Sequence, residues 1–180
     1  AAFARVEAAR EGTALTYFEF GTLAAWEAFA AAGCEAIVLE VGLGGRLDAT
    51  NAYAADCAIV TGVDIDHTEF LGVDRESIGR EKAGIFHSGI PAVCGDTQPP
   101  QSLLDHARAV GADLRLIGRD FGYEVHDRQW LYWGRSARGD SVRRGGLAFP
   151  ALRGGRQLAN ASCVLAALDA LQPRLPVAMQ

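Results

Sequence analysis

Apolar positions along this chain follow two rhythms, and the change between them divides the sequence at Gly118. Before it, short unbroken apolar runs alternate with stretches of helical spacing. Thr16 to Ala32 places Leu23, Trp26, Phe29 and Ala30 at helical spacing and stops at Gly33, which predicts a helix there; residues 3–10 read as the end of an earlier one. Ile37–Val41 and Cys57–Val63 lack alternation, so each is expected as a strand buried on both faces, with an irregular loop over 42–56 between them. Asp74 is an expected N-cap for a helix over Arg75–Ile85, with Glu76 in its first turn. Pro91–Cys94 then predicts a strand, Pro100–Val110 a helix and Leu114–Ile117 a further strand. Alternation of strand and helix marks a parallel sheet with helices on both faces.

Beyond Gly118 the alternation is every second residue. Phe121–His126 and Gln129–Trp133 read as a hairpin, and Leu147–Leu152 as a third antiparallel strand. The Arg- and Gly-rich stretch Arg135–Arg144 reads as a solvated turn, Gln157–Leu171 as an Ala/Leu-rich amphipathic helix, and 173–180 as a tail. The expected fold is therefore α/β: a mostly parallel sheet flanked by helices, with a small antiparallel segment near residues 121–152.

Composition narrows the function classes. A net charge of −5 argues against a general nucleic-acid surface. No apolar run approaches the ~20 residues of a membrane span. The N-terminus has neither the basic nor the apolar region of a signal peptide, and it lacks a Met, so the chain is expected to begin inside a longer protein. Cys34, Cys57, Cys94 and Cys163 form no C-x-x-C pair and read as buried thiols in a reducing, cytoplasmic setting. Of the basic residues, Lys82 alone is not an arginine. Lysine can lose its proton on burial and act through its amine, which arginine cannot.

Candidate chemistry gathers between Ile37 and Phe86. Glu40 ends the first apolar run, and Asp64, Asp66 and His67 follow the second. Open α/β sheets bind ligands at these carboxyl ends. The imidazole among carboxylates (Glu69 included) points to a divalent-cation neighbourhood, although as a lone motif it is more simply a polar loop after a strand. Gly42–Arg46 (GLGGR) invites a dinucleotide reading. It fails, because Leu47 stands where a small residue is required and LDATN is turn-like rather than the start of a helix. A glycine loop allowing close backbone approach to a ligand remains. No G-x-x-x-x-G-K-[ST] phosphate loop occurs.

LTYFEFGT, LEVGLGGRLDATN, DHTEFLG and DRESIGREKAGIF, in this order from Leu15 to Phe86, resemble the folylpolyglutamate synthase/dihydrofolate synthase family of the Mur ligase superfamily. QLANASCVLAAL resembles that family's adenine-side helix more loosely. The resemblance implies a soluble, cytoplasmic, monomeric ligase. It would add L-glutamate to dihydropteroate or folate through an acyl phosphate made with ATP.

Carried over by motif, Glu40 and His67 would be Mg2+ ligands and Lys82 would be carboxylated to a carbamate that helps hold a second Mg2+, which requires a neutral amine. Thr16, Tyr17, Phe18 and Glu19, with Leu47, Asp48 and Ala49, would line the pterin pocket, Phe18 stacking on the ring and Asp48 accepting its N–H donors. Asn160 would contact ATP. Residues 1–172 would be part of a central ATP-binding domain whose phosphate loop lies upstream and whose C-terminal partner domain lies downstream. The chain alone is then expected to be inactive. The alternatives are a Mur-type ligase acting on a cell-wall precursor and a non-catalytic ligand-binding remnant.

Overall fold

The computed structural model describes residues 1–152 and 154–177, so the last positions of the expected tail, 178–180, lie outside the described residues. The chain divides into two compact units, Ala1–Tyr53 and Ala54–Gln180.

In the first unit, Thr16 has the extended backbone and the hydroxyl that a helix start requires. Its Oγ1 accepts from the Glu19 N–H at 3.2 Å while the Glu19 carboxylate accepts from the Thr16 N–H at 2.7 Å. This capping box opens α2 (Tyr17–Ala32), and Gly33, at φ +66°, turns the chain off its end. α1 (Ala2–Ala9) packs along α2, with Phe3 stacked on Phe20. The apolar stripe of α2 is mostly open: Ala24 is buried, Leu23 and Phe29 are exposed, and Trp26 stacks on Tyr53 at 4.0 Å.

The expected buried strand at Ile37–Val41 is corrected. The segment has no ladder partner among the described residues, and Val38 is 93% exposed. An apolar run becomes a strand only when another backbone takes its N–H and C=O groups, and hydrophobicity alone does not supply that partner.

The second unit has a parallel sheet of β1 (Ala58–Val60), β2 (Pro91–Cys94) and β3 (Asp113–Leu116), in that order, with Ala58 opposite Ala92 and Pro91 opposite Asp113. β1 is shorter than expected and is not buried on both faces, since Ile59 is partly open. α3 (Thr68–Leu71), α4 (Arg75–Ala83) and α5 (Gln101–Val110) follow the strands. Ala92 and Cys94 face a core with Ile78, Phe86 and Leu103, whereas Val93 faces Cys163 and Ala166 of α6 (Gln157–Leu171). Helices thus cover both faces, as the alternation predicted.

The first-turn Glu76 does more than complement its own helix. Its carboxylate accepts from the N–H groups of Gln101 (3.0 Å) and Ser102 (2.7 Å). It therefore caps α5, which starts after Pro100 with no side-chain cap of its own.

β4 (Gly122–His126), β5 (Gln129–Arg135) and β6 (Ser141–Leu147) form an antiparallel sheet. The hairpin is where the alternation placed it. The third strand is not at Leu147–Leu152 but runs through the stretch expected as a solvated turn. Arg144 is the reason: its guanidinium takes an inward position because Asp169 of α6 accepts from both its Nη atoms and the Tyr132 ring lies 5.5 Å beneath it. Tyr132 also donates to Asp169 at 2.9 Å. Burial first, and then the Asp169 charge, push the Tyr132 phenol well above its usual range. α6, expected as amphipathic, is enclosed on several sides by the two sheets. Burial pushes the Cys94 thiol up to about 11 and the Cys163 thiol to about 12. Cys34 is exposed, which corrects the expectation of four buried thiols.

Candidate functional site

The glycine loop of the first unit is built around one carboxylate. Asp48 Oδ2 accepts from the N–H groups of Gly42 (3.0 Å) and Leu43 (3.2 Å), and Oδ1 from the Thr50 N–H (2.9 Å) and hydroxyl (2.7 Å). A carboxylate offers about four acceptor sites, so these donors saturate it. Partial burial raises the Asp48 carboxyl pKa, but the bonds from Thr50, Leu43 and Gly42 outweigh it and hold the group below its usual range. Asp48 also N-caps the 3-10 turn Ala49–Ala52, which explains why LDATN turns rather than starting a long helix.

Phe18 lies against the same loop. A Cβ at Gly42 would sit 3.0 Å from Phe18 Cζ and 3.4 Å from Asp48 Oδ2, so glycine lets the ring approach the backbone. Phe18, Gly42 and Asp48 are therefore brought together, with Thr16 and Glu19 engaged in the capping box beside them. Tyr17 (96% exposed), Leu47 (80% exposed) and part of the Phe18 ring leave apolar surface open to a flat ligand. A ligand N–H donor reaching Asp48 would share or displace one of these loop donors. Glu40, in this unit, is exposed and makes no hydrogen bond or ion pair among the described residues.

In the second unit the chain leaves β1 through Asp64, Asp66 and His67. Asp64 Oδ1 accepts from the Ile65 N–H at 2.9 Å and Asp66 Oδ1 from the His67 N–H at 2.7 Å, fixing tight local turns. His67 itself has φ +49°, a left-handed conformation uncommon outside glycine. Its exposed Nε2 is 3.6 Å from Asp66 Oδ2. The Arg156 guanidinium, 3.0 Å from Asp64, holds that carboxyl below the usual range and ties the loop to the head of α6. Asn160, in the second turn of α6, is half-buried, and its side-chain amide has no hydrogen-bond partner among the described residues. Lys82, in the last turn of α4, is half-buried, and its ammonium has no partner among them either.

Two residues that sequence reasoning missed shape this loop. Asp96, just past β2, accepts from the Val63 N–H at 2.9 Å and from Arg75 at 2.8 Å. Arg75 Nε in turn donates to the Val63 carbonyl at 3.1 Å. The signal was present, since Asp96 follows its strand as Asp64 follows the one before.

Among the described residues no three His, Cys, Asp or Glu side chains gather into a metal cage. A hard divalent cation carried by a nucleotide keeps several waters and needs only one or two protein ligands. His67 with Asp66 fits that limited demand; Glu40 belongs to the other unit.

No family model matches the chain. The dihydrofolate synthase/folylpolyglutamate synthase of Escherichia coli is 52% identical over 132 residues, 73% of this chain and 31% of the relative. FolC from Escherichia coli, solved in complex with DHPP and ADP, superimposes with a TM-score of 0.87 at 45% identity, over 98% of this chain and 40% of that one. Over the stretch it shares with them, the chain is similar to dihydrofolate synthase/folylpolyglutamate synthases. A further folylpolyglutamate synthase/dihydrofolate synthase, with Mn, AMPPNP and L-glutamate bound, gives a TM-score of 0.85 at 44% identity, over 98% of this chain and 40% of that structure. The α/β architecture, parallel and antiparallel sheets included, is that of these synthases. The chain spans about a third of the length of the curated relatives it matches.

Proposed function

We propose that this chain is the central, ligand-handling part of an ATP-dependent ligase that joins L-glutamate to dihydropteroate, to folate, or to both. The observation that carries the proposal is the superposition on FolC bound to DHPP and ADP across nearly the whole chain. In this reading residues 1–172 belong to an ATP-binding domain and 173–180 lead out of it. The protein acts in the cytoplasm as a monomer on small-molecule substrates. No helix among the described residues is long and apolar enough to cross a membrane.

The pterin would lie on the open face of Phe18 beside Tyr17, Leu47 and Ala49, over the loop that Asp48, Thr16 and Glu19 hold in shape. ATP would bind near Asn160. A substrate carboxylate would take the terminal phosphoryl group, and the glutamate amine would displace phosphate from the acyl phosphate. His67 and Glu40 would hold Mg2+, which supplies charge neutralisation at the phosphates. Lys82, as neutral amine, would combine with CO2 and release a proton to give the carbamate that serves a second Mg2+. Its unpartnered ammonium supports this role, and it accounts for a lysine where arginine is used everywhere else.

The test is Lys82→Arg in the full-length ligase. Turnover is expected to fall at least a hundredfold with the thermal midpoint unchanged; activity within twofold of the parent would overturn the assignment. The 180-residue chain alone is expected to give no glutamate-dependent ADP release above background.

A further inference from the structure

β1 ends at Val60, and the ladder closes where the Gly95 N–H meets the Val60 carbonyl at 2.8 Å. From Thr61 to His67 the backbone has no regular structure, yet one residue in it is gripped on both sides. The Val63 N–H is taken by Asp96, and the Val63 carbonyl by Arg75 Nε. The two gripping side chains bind each other at 2.8 Å, and both also hold Gln98: Asp96 Oδ1 accepts from its N–H at 2.8 Å, and Arg75 donates to its carbonyl at 3.0 Å. The Asp96 side chain is nearly buried, at 11% exposure, so water competes weakly for these bonds.

What this grip connects matters more than its strength. Val63 immediately precedes Asp64–His67. Arg75 is the first residue of α4, and Lys82 lies seven residues on, two turns along the same helix face. A change in the grip would move the His67 loop and the Lys82 helix relative to each other. Burial of the Val63 side chain explains why that residue is the anchor, but packing alone does not require both of its backbone groups to be held by charged side chains.

We propose that Arg75 and Asp96 are positioning residues for the metal–nucleotide site, setting the register of the His67 loop against α4. The proposal rests on the reading of His67 as a metal ligand given above. Neither residue touches substrate; each acts through Val63.

The test uses the 15N-labelled chain, with Mn2+ alone as the probe. In the parent, Mn2+ is expected to broaden the amide signals of Asp66 to Thr68 selectively. Asp96→Asn keeps an acceptor for the Val63 N–H but loses the charge that holds Arg75, and Arg75→Lys keeps the charge but cannot span the Val63 and Gln98 carbonyls. Each is expected to speed hydrogen exchange at the Val63 amide at least tenfold. Each should also raise the Mn2+ concentration for half-maximal broadening at least fivefold, while the thermal midpoint moves by only a few degrees. Parent-like broadening in both variants overturns the proposal, as does unchanged Val63 exchange. No selective broadening in the parent overturns the His67 reading itself, and the proposal with it, so the two failures are told apart. Should Asp96→Asn not fold, Arg75→Lys carries the same test.

Discussion

At the scale of single residues, what a carboxylate does here is decided by which donors reach it. Asp48 gathers donors from its own loop, whereas Asp96 and Asp169 bind backbone or guanidinium groups distant in sequence, and each organises a different part of the molecule. Asp48 gives a pH prediction whose sign is fixed by its depressed pKa. Its hold on Gly42 and Leu43 is fully present above the ordinary aspartate value of ~3.9 and is lost only as pH falls through the lower, folded-state value. The amide shifts of Gly42 and Leu43 should therefore stay constant down to about pH 4 and titrate below it. A midpoint at or above the ordinary value would show that the loop does not depend on this carboxylate. Asp48→Asn should remove the acid titration and loosen the loop at neutral pH, because one amide oxygen cannot replace two carboxylate oxygens on four donors. The solitude of Lys82 was legible from composition. The partner of Asp169 was not, because nothing in LDAL announces an arginine twenty-five positions earlier on a strand.

At the scale of elements, local signals were reliable and pairings were not. The Asp74 cap, the Gly33 stop and the β4–β5 hairpin all follow from residues close to one another in sequence. Ile37–Val41 failed as a strand, and Arg135–Arg144 failed as a solvated turn, because a strand is defined by its partner and the inward Arg144 disguises the alternation. The α4–α5 contact shows how tightly two correctly foreseen helices can still be specified. A Cβ at Gly79 would lie 2.9 Å from Pro100 Cβ and Cγ and 3.0 Å from Ser102 Oγ. Both Pro100 atoms belong to a rigid ring, so the helices must part. Gly79→Val is expected to destabilise the second unit by about 1–3 kcal/mol, read as a lowered midpoint in urea unfolding. Gly62→Val, at a glycine whose Cβ would meet nothing within 4 Å, should cost markedly less. Equal losses at the two positions would show that the helix contact does not set the cost, since removing a glycine lowers the entropy of the unfolded chain and by itself stabilises.

At the scale of the whole molecule, the burial of apolar side chains is uneven. Among the described residues, the buried hydrophobics of Ala1–Tyr53 are Val6 and Ala24, while the second unit holds two clusters that include Ile78, Phe86, Leu103, Phe121 and Tyr132. Buried apolar area is the main stabilising term, at roughly 25 cal/mol per Å2, so the first unit has far less to set against its chain entropy. α2 is long and capped at both ends, yet a helix of its length is marginal without a packed face. Local opening should therefore be much cheaper in residues 1–53 than in β2 or α6. Hydrogen exchange of the chain is expected to show α2 amides exchanging at least a hundredfold faster than those of Ala92 to Cys94. Occupation of the Phe18 face by a pterin should slow α2 and the Gly42–Asp48 loop selectively, because a ligand that binds only the folded unit stabilises it by mass action. α2 amides as slow as β2 amides without ligand would show that the caps and the two aromatic stacks, Phe3 on Phe20 and Trp26 on Tyr53, suffice to hold the unit closed.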